Sequence, residues 1–322
     1  AAFSLERDRG LLERVCDELD IEAGSHEERD FEDGEHKIRP LENVRGRDVY
    51  LVQSLYGDDK LTVNDKLIRT LFFLSALGDA VAGRVTAVLP YLCYARKDLR
   101  TKPRDPLSNR YVAALFEAAD IDRIVTVDVH NPAAYENAFR IPAEHLTAAP
   151  LFVDTFAPIV GDRKVAVVSP DAGGVKRAEN FRLALEDRLG RPVESAYIEK
   201  FRSEGVVRGG TVAGEVDDRV VILLDDLISS GGTLARAAEA LVDRGARTTY
   251  AAATHGVFSA DANRTLADSK LERIAILDTI PPNRLDSELL EDRFELIDCA
   301  PLLASAVERL HHNRSLIELT DM

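Results

Sequence analysis

The stretch VVILLDDLISSGGTL, residues Val220 to Leu234, decides the fold class more directly than any other part of the chain. It begins with five consecutive apolar residues, a pattern typical of a strand buried on both faces of a parallel sheet. Two acids, Asp225 and Asp226, follow the predicted strand, and a Ser-Ser-Gly-Gly-Thr turn leads into a helical pattern. This order predicts one strand–turn–helix unit of an α/β domain.

The turn in this stretch is suited to binding a phosphorylated sugar. It offers three hydroxyls and two glycines: Ser229, Ser230, Gly231, Gly232 and Thr233. Glycines let backbone N–H groups approach a phosphate closely, and the helix N-terminus adds the positive end of its dipole. Asp225 and Asp226 could accept hydrogen bonds from sugar hydroxyls, directly or through a metal. An ordinary helix cap is the alternative, which the paired acids disfavour.

Similar apolar, β-branched runs recur and alternate with helical patterns. The predicted strands are Val49–Gln53, Val85–Leu89, Ile124–Val127, Val165–Ser169, Val220–Leu224, Thr248–Ala253 and Ile274–Leu277. The predicted helices are Asn64–Gly78, Leu107–Ala119, Gly174–Leu189 and Thr233–Gly245, and the last has one apolar stripe formed by Leu234, Ala237, Ala238, Leu241 and Val242. The alternation predicts an α/β protein with two similar doubly wound domains and mostly parallel sheets.

The domain boundary is expected where the pattern starts again. We place an N-terminal domain over residues 1–146, a C-terminal domain with the glycine-rich turn over 147–304, and a helix and tail over 305–322. The stretch Lys200–Gly210 is polar, rich in glycine and without periodicity, which predicts a mobile loop.

Composition excludes several classes of protein. A net charge of −15 over 322 residues disfavours binding to nucleic acid or to an anionic membrane, so a polyanionic substrate requires a local basic pocket. No apolar run approaches the ~18 residues of a membrane helix, and the charged first ten residues do not resemble a signal peptide. Three widely spaced cysteines indicate free thiols in the cytoplasm. Neither a P-loop nor a Rossmann glycine motif occurs.

The stretch 220–234 resembles the phosphoribosyl-binding loop of the type I phosphoribosyltransferase superfamily. Other segments resemble ribose-phosphate pyrophosphokinases: FEDGE (Phe31–Glu35), VRGRDVYLVQS (Val44–Ser54), LPYLCYARKD (Leu89–Asp98), VTVDVHNP (Val125–Pro132), VVSPDAGGVKRA (Val167–Ala178) and THGVFS (Thr254–Ser259). They occur in order over nearly the whole chain, whereas phosphoribosyltransferases proper share only the Asp-Asp loop. The resemblance implies that the diphosphate of ATP is transferred to carbon 1 of ribose 5-phosphate, and that the chain forms a homo-oligomer, a dimer or a hexamer.

The resemblance also implies roles for particular residues. Those expected to bind ATP are Phe31, Asp33, Gly34, Glu35, Arg96 and Lys97. Those expected to bind ribose 5-phosphate are Asp225, Asp226, Ser229, Ser230, Gly231, Gly232 and Thr233. His130, Asp171 and Asp128 are expected to bind Mg²⁺, with Asp128 beside His130 on the same strand face. Lys200 and Arg202 are expected to stabilise the β-phosphoryl group during transfer.

Three positions depart from the usual pattern of this family. Lys97 stands where a glutamine is usual, Phe201 replaces the middle arginine of Lys-Arg-Arg, and Ser229 replaces an aspartate. Two alternatives therefore stay open at the level of sequence. One is a non-catalytic regulatory homologue that assembles with an active enzyme, and the other is a phosphoribosyltransferase that consumes phosphoribosyl pyrophosphate.

Overall fold

A computed structural model describes residues 1–5, 9–203 and 206–320, without the side chains of residues 200–203 and 206–210. The chain divides into two compact units. The first contains Ala1–Thr147 and the described residues from Cys299 onward, and the second contains Ala148–Asp298. Each unit has its own hydrophobic core. Within the described ranges, no helix is both long and apolar enough to cross a membrane.

The first unit is built on a five-stranded parallel sheet with the strand order β1-β4-β5-β6-β7. Its strands, including a separate β2–β3 hairpin, are β1 Ala2–Phe3, β2 His26–Asp30, β3 His36–Pro40, β4 Asp48–Val52, β5 Arg84–Leu89, β6 Arg123–Val127 and β7 Ala143–Leu146. The prediction of strands near residues 49–53, 85–89 and 124–127 is confirmed to within one residue at each end.

Helices connect the strands of the first unit. They are α1 Arg9–Glu18, α2 Val63–Asp79, α3 Ser108–Ala118 and α4 Pro132–Ala138. Helix α2 begins with a capping box, because the Thr62 hydroxyl accepts from Asp65 N at 3.2 Å and the Asp65 carboxylate accepts from Thr62 N at 2.8 Å. Its apolar face, which includes Leu67, Leu71 and Leu74, is buried in the core.

The second unit is built on a seven-stranded sheet with the order β10-β9-β8-β11-β12-β13-β14. The strands are β8 Val165–Ser169, β9 Glu194–Ser203, β10 Val206–Ala213, β11 Val220–Ile228, β12 Thr248–Gly256, β13 Ile274–Leu277 and β14 Phe294–Ile297. All described pairings in this sheet are parallel except that of β10 with β9. The predicted α/β architecture with mostly parallel sheets is therefore confirmed.

The helices of the second unit are α5 Ala149–Val160, α6 Val175–Leu189, α7 Gly232–Asp243, α8 Ala262–Ala267 and α9 Ser287–Arg293. A short 3-10 turn, Ala172–Gly174, precedes α6. The predicted apolar stripe of α7 is confirmed at Leu234, Ala237, Ala238 and Leu241, which are buried. The prediction was wrong at Val242, which is 41% exposed because it lies beside the stripe near the end of the helix.

The C-terminal segment belongs to the first unit. Helix α10 (Ala300–His311) and α11 (Ile317–Thr320) group with it, whereas the expected division placed residues up to 304 in the second domain. The reason is a set of polar contacts with that unit. Arg84 donates to the carbonyl of Leu310 at 3.2 Å, and His311 Nδ1 lies 2.9 Å from Asp48 Oδ2. The backbone N–H of Thr147 donates to the carbonyl of Leu319.

The stretch predicted as a mobile loop, Lys200–Gly210, is paired as strands on both sides of residues 204–205. Lys200 lies opposite Gly210 and Arg202 opposite Val207, in the β9–β10 pair. The loop prediction was wrong because backbone pairing needs no alternation of side chains. A register shift between Val207 and Gly210 accommodates the glycines in the strand. Residues 204–205, between the two strands, lie outside the described part of the chain.

Candidate functional site

The acid pair lies inside β11 rather than after it. Strand β11 continues to Ile228 because it stays paired with β12, with Asp225 opposite Ala253. Its pairing with β8 ends at Leu223, so the strand has lost its neighbour on that side before the acids begin. The predicted strand end at Leu224 was four residues too early, since the prediction rested on apolar residues alone. The acids are therefore held on a hydrogen-bonded strand.

The turn after β11 requires glycine at one position. Gly231 has a φ of +75°, in the left-handed region, and a Cβ at this position would lie 2.5 Å from Leu266 Cδ2. Helix α7 begins at the next residue, Gly232, whose N–H lies 3.4 Å from the Ser230 hydroxyl. The backbone of the turn therefore packs against Leu266 of α8, and the residues after Gly231 form the first turn of α7. This arrangement suits an anion at the N-terminus of α7.

The segment Thr254–Ser259 supports the turn from the neighbouring strand. The backbone N–H groups of Val257 and Phe258 both donate to the carbonyl of Ile228 at 3.0 Å. The N–H of Ser259 donates to the carbonyl of Ser229, also at 3.0 Å. These bonds fix the carbonyls of Ile228 and Ser229, which restricts the backbone at the start of the turn.

Negative charge is concentrated at the acid pair. Asp226 is 3% exposed, and a guanidinium nitrogen of Arg177 lies 3.5 Å from its Oδ1. Burial above all, and then the charges of Asp226 and Asp171, raise the pKa of Asp225 to about 7. Arg177 was not assigned a role from the sequence, although it belongs to the quoted VVSPDAGGVKRA segment. The signal available in the sequence was a basic residue at the start of the helix that follows Asp171.

Asp171 caps the 3-10 turn that follows β8. Its Oδ1 accepts from the N–H groups of Gly173 and Gly174 at 3.0 and 3.2 Å, and its carbonyl accepts from the Ser169 hydroxyl at 2.6 Å. The carboxylate is thus fixed in direction by backbone donors. Within the described ranges, no three His, Cys, Asp or Glu side chains are grouped so that they could hold a metal ion by themselves.

The other two predicted metal ligands, Asp128 and His130, lie in the first unit. Strand β6 ends at Val127, and Asp128 has a φ of +39° while its N–H donates to the carbonyl of Leu146 at 2.9 Å. The expectation that both side chains share a strand face was wrong, because strand alternation ends before Asp128. His130 is exposed. Asp171, the third predicted ligand, is in the second unit.

The FEDGE segment forms the tip of the β2–β3 hairpin. The N–H of Phe31 donates to the carbonyl of Glu35 at 2.8 Å, and the N–H of Glu35 donates to Asp33 Oδ1 at 3.1 Å. Gly34 has a φ of +90°, which completes the turn. Phe31 is 41% exposed, and the Arg29 guanidinium lies 5.3 Å from the centre of its ring. The tip therefore offers an accessible aromatic face.

Arg96 and Lys97 follow β5 in the first unit, and they differ in their surroundings. Arg96 is exposed. Lys97 Nζ lies 2.7 Å from Asp105 Oδ2, and that oxygen also accepts from the backbone N–H groups of Thr101 and Lys102 at 3.0 Å. These donors, Lys97 first, hold the pKa of Asp105 well below its usual range. The charge of Lys97 is therefore paired within its own loop.

Lys200 and Arg202 are placed only by their backbone. Both belong to β9 in the second unit. Their side chains lie outside the described part of the structure. Their expected role therefore stays a prediction.

Comparisons with known proteins cover nearly the whole chain. Residues 1–119 match the family model for the N-terminal domain of ribose phosphate pyrophosphokinase, and residues 206–320 match the phosphoribosyl synthetase-associated domain. The chain is 37% identical to ribose-phosphate pyrophosphokinase 1 of Streptococcus pneumoniae, over 99% of this chain and 96% of that protein. It is 36% identical to the Streptococcus pyogenes protein of the same name, over 99% and 97%. The crystal structure of phosphoribosylpyrophosphate synthetase from Mycobacterium smegmatis superposes with a TM-score of 0.85, at 34% identity, over 97% of this chain and 98% of that one.

Proposed function

This chain belongs to the ribose-phosphate pyrophosphokinase family, and from that premise we propose which residues bind each substrate and which act in the transfer. The protein is a ribose-phosphate diphosphokinase. It transfers the diphosphate of ATP to carbon 1 of ribose 5-phosphate, giving phosphoribosyl pyrophosphate and AMP. The observation that supports the proposal most strongly is the glycine turn after β11, preceded on that strand by the acid pair Asp225 and Asp226.

Ribose 5-phosphate binds, in this proposal, to the turn Ser229–Thr233. The 5-phosphate accepts hydrogen bonds from backbone N–H groups and hydroxyls at the start of α7, where the helix dipole favours an anion. Asp225 and Asp226 accept from the 2- and 3-hydroxyls of the sugar. The packing of Gly231 on Leu266 supports this role, because a backbone that cannot shift keeps its donors directed at the phosphate.

ATP binds, in this proposal, through residues of the first unit. The ring of Phe31 stacks on the adenine, and Asp33, Gly34 and Glu35 read its amino edge. Arg96 donates to the phosphates. Because the charge of Lys97 is paired with Asp105, we assign Lys97 the task of holding the loop that presents Arg96.

Mg²⁺ is the proposed cofactor, with Asp171, Asp128 and His130 as its candidate ligands. Burial and the charges of Asp226 and Asp171 raise the pKa of Asp225, and a divalent cation bound nearby would favour its ionised form. Carboxylate oxygens suit this ion, which commonly completes its coordination with water and phosphate oxygens. When bound, the ion supplies neutralisation of phosphate charge.

The reaction needs positioning and charge stabilisation rather than a covalent enzyme intermediate. The 1-hydroxyl oxygen of the sugar attacks the β-phosphorus of ATP, the bond from that phosphorus to the α–β bridging oxygen breaks, and AMP leaves. The proton of the hydroxyl passes to solvent. Lys200 and Arg202 are proposed to offset the negative charge that spreads over the transferring group.

The test of this proposal is release of AMP from Mg²⁺-ATP with and without ribose 5-phosphate, followed by ³¹P NMR of the product. We expect sugar-dependent AMP and a diphosphate signal attached to the sugar. Ribose without the phosphate is the matched control, and it should release little AMP because the turn Ser229–Thr233 has no anion to bind. Protein that binds ribose 5-phosphate but forms no AMP would instead be a regulatory homologue. Exchange of a nucleobase on phosphoribosyl pyrophosphate would identify a phosphoribosyltransferase.

A homo-oligomer remains part of the proposal as a prediction. Light scattering during size-exclusion chromatography would measure the mass of the assembly directly. A mass equal to one chain of 35.5 kDa at working concentration would contradict it.

A further inference from the structure

One turn in the second unit is strained and tightly enclosed. It follows β12 and runs through Phe258, which has a φ of +39° and is 1% exposed. The ring of Phe258 packs edge-on against Phe294 at 5.6 Å, and a Cβ on Gly256 would lie 2.4 Å from that ring. A left-handed aromatic residue is strained and persists only where its surroundings determine it.

The turn holds the sugar-phosphate loop, Ser229–Thr233, through its backbone. Val257 N and Phe258 N both donate to the carbonyl of Ile228, and Ser259 N donates to the carbonyl of Ser229. A displacement of this turn would therefore move the first residue of the loop.

Arg284 also binds the same turn. Its Nη1 donates to the carbonyls of Val257 and Phe258, each at 3.0 Å. The two carbonyls belong to the residues whose N–H groups bind Ile228, so the guanidinium and the end of β11 hold the same two residues. Hydrogen bonds from a charged donor are stronger than neutral ones.

Arg284 is itself held in place by α8. The side-chain amide of Asn263 donates to the carbonyl of Arg284 at 3.1 Å and its Oδ1 accepts from Asp286 N at 2.9 Å. Helix α8 also supplies Leu266, the residue against which Gly231 packs. Helix α8 therefore supplies both the Leu266 packing against the loop and the Asn263 contacts that position Arg284.

We infer that Arg284 is a positioning residue for ribose 5-phosphate: it clamps the turn Val257–Ser259 and so directs the phosphate-binding groups of the sugar-phosphate loop. The inference rests on the proposed binding of the sugar phosphate by that loop. Arg284 acts through the turn and does not itself bind the sugar. The residue is exposed, so its replacement leaves the hydrophobic core intact.

The experiment compares Arg284→Met with Arg273→Met. Arg273 is an exposed arginine just before β13 and lies 3.1 Å from Glu295, so the control also removes an exposed guanidinium and its polar contact from the same unit. Two quantities are measured for each variant: hydrogen exchange of the backbone amides of residues 228–232, and the KM for each substrate. We expect Arg284→Met to exchange faster and to raise the KM for ribose 5-phosphate about tenfold, as the loss of an orienting partner commonly does. The KM for ATP should stay within about twofold.

A conservative variant and a second site sharpen the test. Arg284→Lys keeps a cation and should recover part of the affinity, and Asn263→Ala should raise the same KM by a smaller factor without touching the guanidinium. Unchanged ribose 5-phosphate affinity in Arg284→Met would overturn the inference, whether or not exchange becomes faster. Equal effects of Arg273→Met would also overturn it. If the unmodified protein releases AMP at the same rate with and without ribose 5-phosphate, the proposed function itself fails. That result is seen before any variant is made.

Discussion

The sugar-phosphate loop and the hairpin tip Phe31–Glu35 are both short turns that contain a left-handed glycine, yet they are built in opposite ways. Gly231, with a φ of +75°, is buried against Leu266. Gly34, with a φ of +90°, has nothing within 4 Å of the position its Cβ would occupy. The first turn is held by hydrogen bonds and packing, whereas the second is the exposed tip of a two-stranded hairpin.

The difference follows from what each turn is proposed to bind. A phosphate is recognised by several short hydrogen bonds, so its donors must be fixed within a fraction of an ångström. An adenine is recognised by a flat aromatic surface, which tolerates sliding and needs access. A fixed backbone therefore matters for the sugar-phosphate loop, and an exposed ring matters for the hairpin tip.

The largest effect is expected at a residue that belongs to neither turn. Lys200→Ala should lower kcat about 100- to 1000-fold, since it removes a cation that acts only as charge develops during transfer. Because both binding turns remain, the KM for each substrate should change little. Single-turnover measurement of AMP formation checks this, with Lys60→Ala as an exposed control lysine in the first unit. Normal turnover in Lys200→Ala would remove the residue from the mechanism.

The two glycines test the comparison directly. Gly231→Ala should destabilise the protein by about 3 kcal/mol, because a strained backbone is combined with a clash against Leu266. Gly34→Ala should cost about 1 kcal/mol, since only the backbone strain applies. Urea unfolding gives both values. Equal destabilisation would mean that the packing of Gly231 contributes nothing.

The raised pKa of Asp225 should make the stability of the protein depend on pH. The pKa of Asp225 is raised to about 7 by burial and by neighbouring acids, against about 3.9 in an unfolded chain. The folded protein therefore binds this proton more tightly, and the stability it contributes is present below about pH 4 and is lost as the pH rises toward 7. Asp225→Asn should gain in Tm relative to the unmodified protein between about pH 5 and pH 8.

Scanning calorimetry in the presence of a chelator measures this gain. Addition of Mg²⁺ should then raise the Tm of the unmodified protein more than that of Asp225→Asn. A difference between the two proteins that stays constant with pH would show that Asp225 is already ionised throughout this range.

The smallest effect is expected in the loop that carries Arg96. Lys97→Gln restores the residue usual in the family and removes the ion pair with Asp105, which keeps its backbone donors from Thr101 and Lys102. We expect the KM for ATP to change less than about threefold, in the range typical of exposed ion pairs. Steady-state kinetics with varied ATP checks this. A tenfold rise would show that Lys97 binds ATP directly.

Much of the fold could be predicted from the sequence because parallel strands buried on both faces are almost wholly apolar. Val165–Ser169 and Ile274–Leu277 agree with the structure residue for residue. The β9–β10 pair could not be predicted, since its glycines and polar residues carry no alternation and the pairing is between backbones. The attachment of α10 to the first unit depends on contacts such as Arg84 with Leu310, far apart in sequence.

The candidate site was predictable where one segment contains the chemistry, as in Asp225–Thr233. It was not predictable where tertiary contacts create it. Nothing near Arg284 in the sequence shows that its guanidinium binds carbonyls 26 and 27 residues earlier. Likewise, the pairing of Lys97 with Asp105 appears only when the loop between them is folded.

The central claim is that the two turns bind different substrates, and crossed kinetics of Thr233→Val and Phe31→Leu test it most directly. Thr233→Val removes a hydroxyl from the sugar-phosphate loop, and Phe31→Leu keeps bulk but removes the aromatic face of the hairpin tip. We predict that the first raises the KM for ribose 5-phosphate about tenfold and leaves the KM for ATP unchanged. The second should raise only the KM for ATP, also about tenfold. Variants that both raise the same KM would contradict the account.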